Sequence, residues 1–334
     1  MSSSTTVSQI KAQTTPQKVF SVQKLAIRLG AFVALLGIMI YFALSARGFT
    51  SAYNLQNIVE QSAILGFLAF AMTVVFVATG TDVQKGGIDL SVAANAGLCS
   101  AVYAVMLKNG YTDIQAIPLT ITTGLLVGLL NGFAVVTLKI LPLLSTLAVM
   151  NIAAGLELVV TQNSVVGAES PLLDLLTFGS FLGISSLSWC LIVGAVLISA
   201  VMHFSPLGLR MYAVGGNIEA AKAAGINTGR YIYGSYLFSG CAAGVTSILI
   251  VARLSASTPG TSLLLLPVLA AALLGAVFSR RFVPTIGGTL IAVLFIGSLS
   301  NGFQLLGISS YWVSGVQGAL ILIVVAFTSF AKKS

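Results

Sequence analysis

The chain has 334 residues, of which 57% are hydrophobic and 7% charged, against roughly 25% charged in an ordinary soluble domain. Its 16 basic and 8 acidic residues cannot cover a core of this size with polar surface, which excludes a cytosolic globular protein and leaves hydrocarbon as the main solvent. The net charge of +8 comes from basic residues scattered singly between apolar blocks, so it points to orientation in a bilayer and not to a nucleic-acid patch.

Residues 1–24 form a polar tail rich in Ser and Thr, and the apolar run after it has no small-x-small cleavage site before Arg47, so the first helix is expected to stay attached. Apolar segments broken by Pro, Gly and charged residues place ten spans near 25–45, 60–80, 88–107, 115–138, 142–161, 187–204, 231–252, 263–278, 286–306 and 311–330. An all-α integral membrane protein with about ten transmembrane helices is expected: one transmembrane domain over 25–330, a large connection at 205–230 and a tail at 331–334. With the N-terminus inside, thirteen of the 16 basic residues fall on the cytoplasmic face, among them Lys85, Lys139, Arg210, Lys222, Arg280 and Arg281. Only Arg47, Lys108 and Arg253 fall on the other, the asymmetry that an even number of spans and cytoplasmic termini require.

Cys99, Cys190 and Cys241 all lie in apolar blocks and read as small packing residues. Gly124, Gly128 and Gly132 form a ridge in the fourth span, echoed by Gly240 and Gly244 in the seventh, a spacing that lets backbones approach closely in lipid. Asn131-Gly132-Phe133 recurs as Asn301-Gly302-Phe303 near the end of the ninth span. The connection at 205–230 contains Asn217, an N-cap residue, then Glu219 where a helix dipole favours an anion, then Ala220 and Ala221, and Gly225 as a stop. A helix of about two turns outside the membrane is expected there.

Glu219-Ala220-Ala221 with Gly225 resembles the EAA loop by which permeases of ABC importers contact their ATPases. Gly86-Gly87-Ile88-Asp89-Leu90-Ser91-Val92 is similar to the signature of the ribose, xylose and arabinose type of these permeases. Gly215-Gly216-Asn217, Ala252-Arg253-Leu254-Ser255 and the run Asn301-Gly302-Phe303 to Tyr311 follow in the family's order, so the resemblance covers nearly the whole chain after residue 50. It departs at Leu263-Leu264-Leu265-Leu266-Pro267, where the family usually carries an acidic residue, at Phe278-Ser279-Arg280-Arg281-Phe282, where it carries a glycine-rich turn, and at Ala93, which replaces a glycine. The resemblance implies a bundle like that of type II ABC importer permeases and an ATPase-coupling loop at Gly216, Asn217, Glu219, Ala220, Ala221 and Gly225. It also implies a P-loop ATPase, a periplasmic or lipid-anchored sugar-binding protein and a second permease copy or paralogue as partners.

Asp89 reads as sitting just inside the third span, where it either caps the helix or serves a gate or pathway. Ser91 and Asn95 share a helical face, and Asn131, Asn151, Gln304 and Gln317 add amides that either contact a hydroxylated solute or tie helices together. Asp89, Ser91, Asn95, Asn131 and Gln304 are the candidate path or gate residues. Glu157, near the end of the fifth span, is expected to snorkel to the interface. His203 is the only histidine, so no multi-histidine metal site is expected. No Gly-x-x-x-x-Gly-Lys-Ser/Thr loop occurs, so ATP and magnesium are expected on a partner and no cofactor on this chain. An ion-coupled secondary carrier of a small polar solute, or a permease for a nucleoside or furanose signalling molecule, stands as the alternative; a membrane enzyme would need a convergent titratable pocket.

Overall fold

The computed structural model describes residues 17–80, 87–279, 283–309, 312–316, 318–319 and 322. Helix α1 (Gln17–Ser45) leads into α2 (Ala52–Thr79), whose N-terminus is capped by Ser51 accepting from the Asn54 amide at 3.2 Å. Helix α3 (Val92–Lys108) follows, then α4 (Asp113–Gly132), which opens on a Thr112/Gln115 capping box and runs into a π-helical turn at Phe133–Thr137. Pro142 starts α5 (Pro142–Thr161) at a position where its missing N–H costs nothing. A short strand β1 (Val166–Gly167), helix α6 (Pro171–Phe178) and the hairpin β2 (Ser180–Phe181) and β3 (Ile184–Ser185) precede α7 (Ser186–Phe204). Then come α8 (Pro206–Gly216), α9 (Ile218–Ala223), α10 (Thr228–Leu254), β4 (Ala256–Ser257), a 3-10 turn at Thr261–Leu264, α11 (Leu265–Phe278) and α12 (Ile286–Leu305).

Seven of these helices are long and apolar enough to cross a bilayer. Helix α3, at 17 residues, and the apolar stretch Leu35–Ser45 of α1 are shorter, and most of the tenth expected span, 311–330, lies outside the described residues with Gln317. The count of ten therefore reduces to seven by this measure, while the all-α membrane class holds. Expected and observed boundaries agree closely for α5, α7 and α12. Helix α2 starts eight residues before its expected apolar segment, because Ser51 caps a polar first turn ahead of the hydrocarbon-length stretch.

The bundle is arranged around α2. The most apolar 18-residue stretch of α2 is 89% buried, whereas the corresponding stretches of α4, α5 and α7 are 33%, 28% and 33% buried. A helix that is apolar all round belongs at the centre, and the peripheral ones expose theirs to lipid or to partners. The largest core cluster accordingly joins α2, through Leu68, Met72 and Phe76, to Val268 and Leu274 of α11 and Val293 and Ile296 of α12. The glycine ridge of α4 is consumed inside the chain: a Cβ at Gly124 or Gly128 would run into the α10 backbone at Gly240 or Tyr236, and one at Gly132 would lie 3.0 Å from the Tyr233 ring.

Three contacts fix which ends lie together. Strand β1 pairs antiparallel with β4, Val166 opposite Ser257, bringing the connections after α5 and α10 to one end. The Tyr212 hydroxyl of α8 donates to the Pro284 carbonyl at 3.2 Å, and the Arg210 guanidinium to the Tyr231 hydroxyl at 3.1 Å. These place α8, the start of α10 and the approach to α12 at the other end.

Candidate translocation and coupling site

The segment entering α3 is held from four sides. At Gly87 a Cβ would lie 2.7 Å from both the Thr79 methyl and the Tyr236 hydroxyl, so only glycine passes between α2 and α10. The Thr79 hydroxyl of α2 donates to the Gly87 carbonyl at 3.0 Å, and the Thr146 hydroxyl of α5 donates to the Ile88 carbonyl at 3.0 Å. Gly86 and Lys85 lie outside the described residues.

Asp89 follows, and it is 2% exposed. It is not inside the helix, as expected, but two residues before Ser91, the N-cap position of α3. Its Oδ1 accepts from the Ser91 amide at 3.0 Å, the Ser91 hydroxyl at 2.6 Å and the Asn131 amide at 3.3 Å. Its Oδ2 accepts from the Ser239 hydroxyl of α10 at 2.6 Å. The Asn131 amide also donates to the Ser91 hydroxyl at 2.7 Å. Asp89 thus satisfies one backbone N–H as a cap does, and in addition ties α3, α4 and α10 into a knot that contains no cation among the described residues. Asn131 Oδ1 and the Tyr236 hydroxyl, both buried beside it, have no hydrogen-bond partner among the described residues.

Of the other expected path residues, Asn95 stands one turn above Ser91, donates to the Gly124 carbonyl of α4 at 3.2 Å and accepts from the Cys99 thiol at 3.5 Å; its amide ties helices together. Asn151 is exposed and bonds back to the Leu147 carbonyl of its own helix at 2.8 Å. Gln304 is exposed near the far end of α12 and does not join the knot. The echoed Asn-Gly-Phe stretches do the same job at opposite ends of α2. Asn131 enters the knot beside its C-terminus, while Asn301 exchanges two 2.9 Å amide bonds with Asn54 at its N-terminus. Glu157 does not snorkel: it is 2% exposed, its carboxylate lies against Gly97 of α3, where an added Cβ would meet it at 2.8 Å, and Oε1 has no partner among the described residues.

The expected extramembrane helix is α9, preceded by α8, which sequence reasoning missed because Gly208 and the Gly215-Gly216 pair read as loop. Asn217 Oδ1 accepts from the Ala220 amide at 3.0 Å, and Gly225, at φ +77, closes the helix as the Ile226 amide reaches the Ala221 carbonyl at 3.0 Å. Ala221 is buried; Gly216, Asn217, Glu219, Ala220 and Gly225 are exposed, and Glu219 pairs with Lys222 at 3.0 Å. Helix α8 touches the bundle through backbone alone at Gly215, where a Cβ would collide with the Val77 carbonyl and lie 3.0 Å from the Gly80 nitrogen. Gly80, at φ +88, ends α2 and leads toward the Asp89 knot. Ser239, Thr79 and Thr146 were not singled out from sequence, where their only signal was a hydroxyl within an apolar span, and Gly215 was named only as part of the Gly215-Gly216-Asn217 motif.

Comparison with known proteins agrees with this architecture. Residues 54–325 match the family described as the permease component of the branched-chain amino acid transport system. The chain is 34% identical over 302 residues to the ribose import permease protein RbsC of Bacillus subtilis (strain 168), covering 89% of this chain and 91% of that protein. It is 30% identical over 307 residues to the L-arabinose ABC transporter permease protein AraH of Azospirillum brasilense, covering 91% and 88%. Among solved structures, an inward-facing conformation of a metal-chelate type ABC transporter matches with a TM-score of 0.53 at 13% identity, over 90% of this chain and 99% of the other, a likeness of fold. This chain is a multi-pass membrane protein that belongs to that permease-component family, among whose members are the ribose and arabinose permeases of ABC importers.

Proposed function

We propose that this chain is the membrane subunit of an importer for a small sugar of the pentose or hexose class, set in a bacterial inner membrane with both termini cytoplasmic. The observation that carries the reading is the 34% and 30% identity to ribose and arabinose permeases over about nine-tenths of the chain. A separate P-loop ATPase, using ATP and magnesium, drives the cycle. An extracytoplasmic binding protein delivers the sugar, and a second permease copy or a paralogue completes the path.

In this reading the exposed face of α9, with Glu219, Ala220 and the flanking Gly216, Asn217 and Gly225, is what the ATPase grips. The lever in this reading is the six-residue helix α9, fixed at its ends by the Asn217 cap and the Gly225 stop. The Asp89 knot, with Ser91 and Asn131, is the gate that the lever works, since Gly215 of α8 abuts the end of α2 from which the Asp89 segment departs.

The test is to tag the chain, solubilise it gently, identify co-purifying proteins and measure uptake of a labelled panel of pentoses, hexoses and nucleosides. Co-recovery of an ATPase and an exported binding protein, with ATP-dependent sugar uptake, is expected. Glu219→Arg and Gly225→Pro should each leave insertion intact and abolish that uptake. Recovery of the chain alone, in a detergent that preserves known complexes, with nucleotide-independent uptake would overturn the reading, and uptake confined to nucleosides would overturn the substrate class.

A further inference from the structure

A groove of about 390 Å³ runs along the outside of the bundle between α7 and α10. Its walls are Trp189, Val193 and Leu197 of α7 and Val245 and Leu249 of α10, and Phe67 of α2 forms its floor. Gly194 gives it depth, because a Cβ there would run into the Phe67 ring. All three helices are among those long and apolar enough to span, so hydrocarbon surrounds the groove at that depth, and among the described residues no charged, amide or hydroxyl side chain lines it for a protein partner to read.

From Trp189 to Leu197 the groove follows eight residues of α7, about 12 Å at the helical rise, close to the ~15 Å depth of one leaflet's hydrocarbon. Its end nearest the β2–β3 hairpin carries the features of a headgroup boundary. The Trp189 ring N–H donates to the Phe181 carbonyl at 3.0 Å, and the two rings lie 6.0 Å apart. Phe178, Phe181 and Leu182 beside it are 80%, 66% and 78% exposed, and the hairpin holds no charged residue. Aromatic side chains in such a girdle sit where tails meet headgroups. A second copy is a poorer occupant, because close helix pairing in lipid needs small residues, and this groove is walled by large ones while the glycine ridge of α4 is already taken by α10.

We propose that this groove is a phospholipid site: one acyl tail lies between α7 and α10 over Phe67, with its headgroup end under Trp189 and the hairpin. The chain has two tryptophans, so Trp312→Phe leaves Trp189 as the sole reporter. This variant would be reconstituted into phosphatidylcholine vesicles with and without bromine on the tail near the headgroup end. Bromine is expected to quench Trp189 roughly twofold. Val193→Phe and Val245→Phe, each filling the groove from one wall, should each recover most of the emission while the variants elute from size exclusion as the parent does. Two results would overturn the proposal. One is quenching unchanged in both filled variants, which means that Trp189 meets only bulk lipid. The other is an unquenched Trp189 together with Cys190-to-Cys190 cross-linking between chains, which puts a second copy over the groove.

Discussion

Asp89 is 2% exposed, and hydroxyls and amides hold its carboxyl group, with no cation beside it among the described residues. The Ser239 hydroxyl donates to Oδ2 at 2.6 Å, and leaving a buried acceptor without its donor costs about 1–3 kcal/mol. Ser239→Ala is therefore expected to lower the thermal midpoint of the detergent-solubilised chain, with Ser235→Ala, whose hydroxyl bonds back to its own helix at Ile232, changing it little. Glu157 and Gly97 offer a cleaner pair. Adding a methyl at Gly97 forces it to 2.8 Å from the Glu157 carboxylate, so Gly97→Ala should destabilise. Glu157→Ala removes the obstructing atoms, so the double variant should be more stable than the sum of the single changes by about 1 kcal/mol, within the range for residues in contact. Additive effects in the thermal unfolding of the four proteins would show that the carboxylate does not occupy that space.

Among the elements, helices were legible where composition changes sharply. Pro142 and the end of the apolar run at Thr161 bound α5 in sequence as they do in structure. The α9 caps were legible because Asn217 and Gly225 each have a local job. Helix α8 was not, because Gly208 and Gly215, which weaken its helical signal, are demanded by backbone of other helices: Met202 of α7 and Val77 of α2. The glycine ridge was legible as a close-packing surface, but its partner was not, since spacing names a face and never the helix that meets it. That partner makes a sharp prediction. Gly124→Ala should destabilise the bundle, because its methyl would collide with the α10 backbone, whereas Gly155→Ala on α5, with nothing within 4 Å, should be neutral or slightly stabilising. Thermal unfolding of the two in the same detergent decides this, and equal effects would mean that α4 and α10 do not cross at these glycines.

At the scale of the whole molecule, the central position of α2 decides how the two ends communicate. Its N-terminus is pinned by the Asn54–Asn301 pair and its C-terminus abuts α8. Beyond that end stands the Asp89 knot, which binds α3, α4 and α10 across 150 residues of sequence. No pattern in the sequence announces such pairing, because helical spacing relates residues of one span, and the knot joins residues of several. At the crossing of Gly215 with Val77 and Gly80, α8 meets α2 backbone to backbone, so displacement of α8 passes directly to the segment that carries Asp89. Gly215→Ala should then cut ATP-driven uptake at least tenfold while the chain still inserts and still recovers its ATPase, because the methyl must push α8 off α2. Gly155→Ala on α5, outside the coupling face and with open space around its Cβ, should transport as the parent does. Normal uptake by Gly215→Ala would mean that force reaches the knot by another route, of which the Tyr212–Pro284 bond to the start of α12 is the next to test.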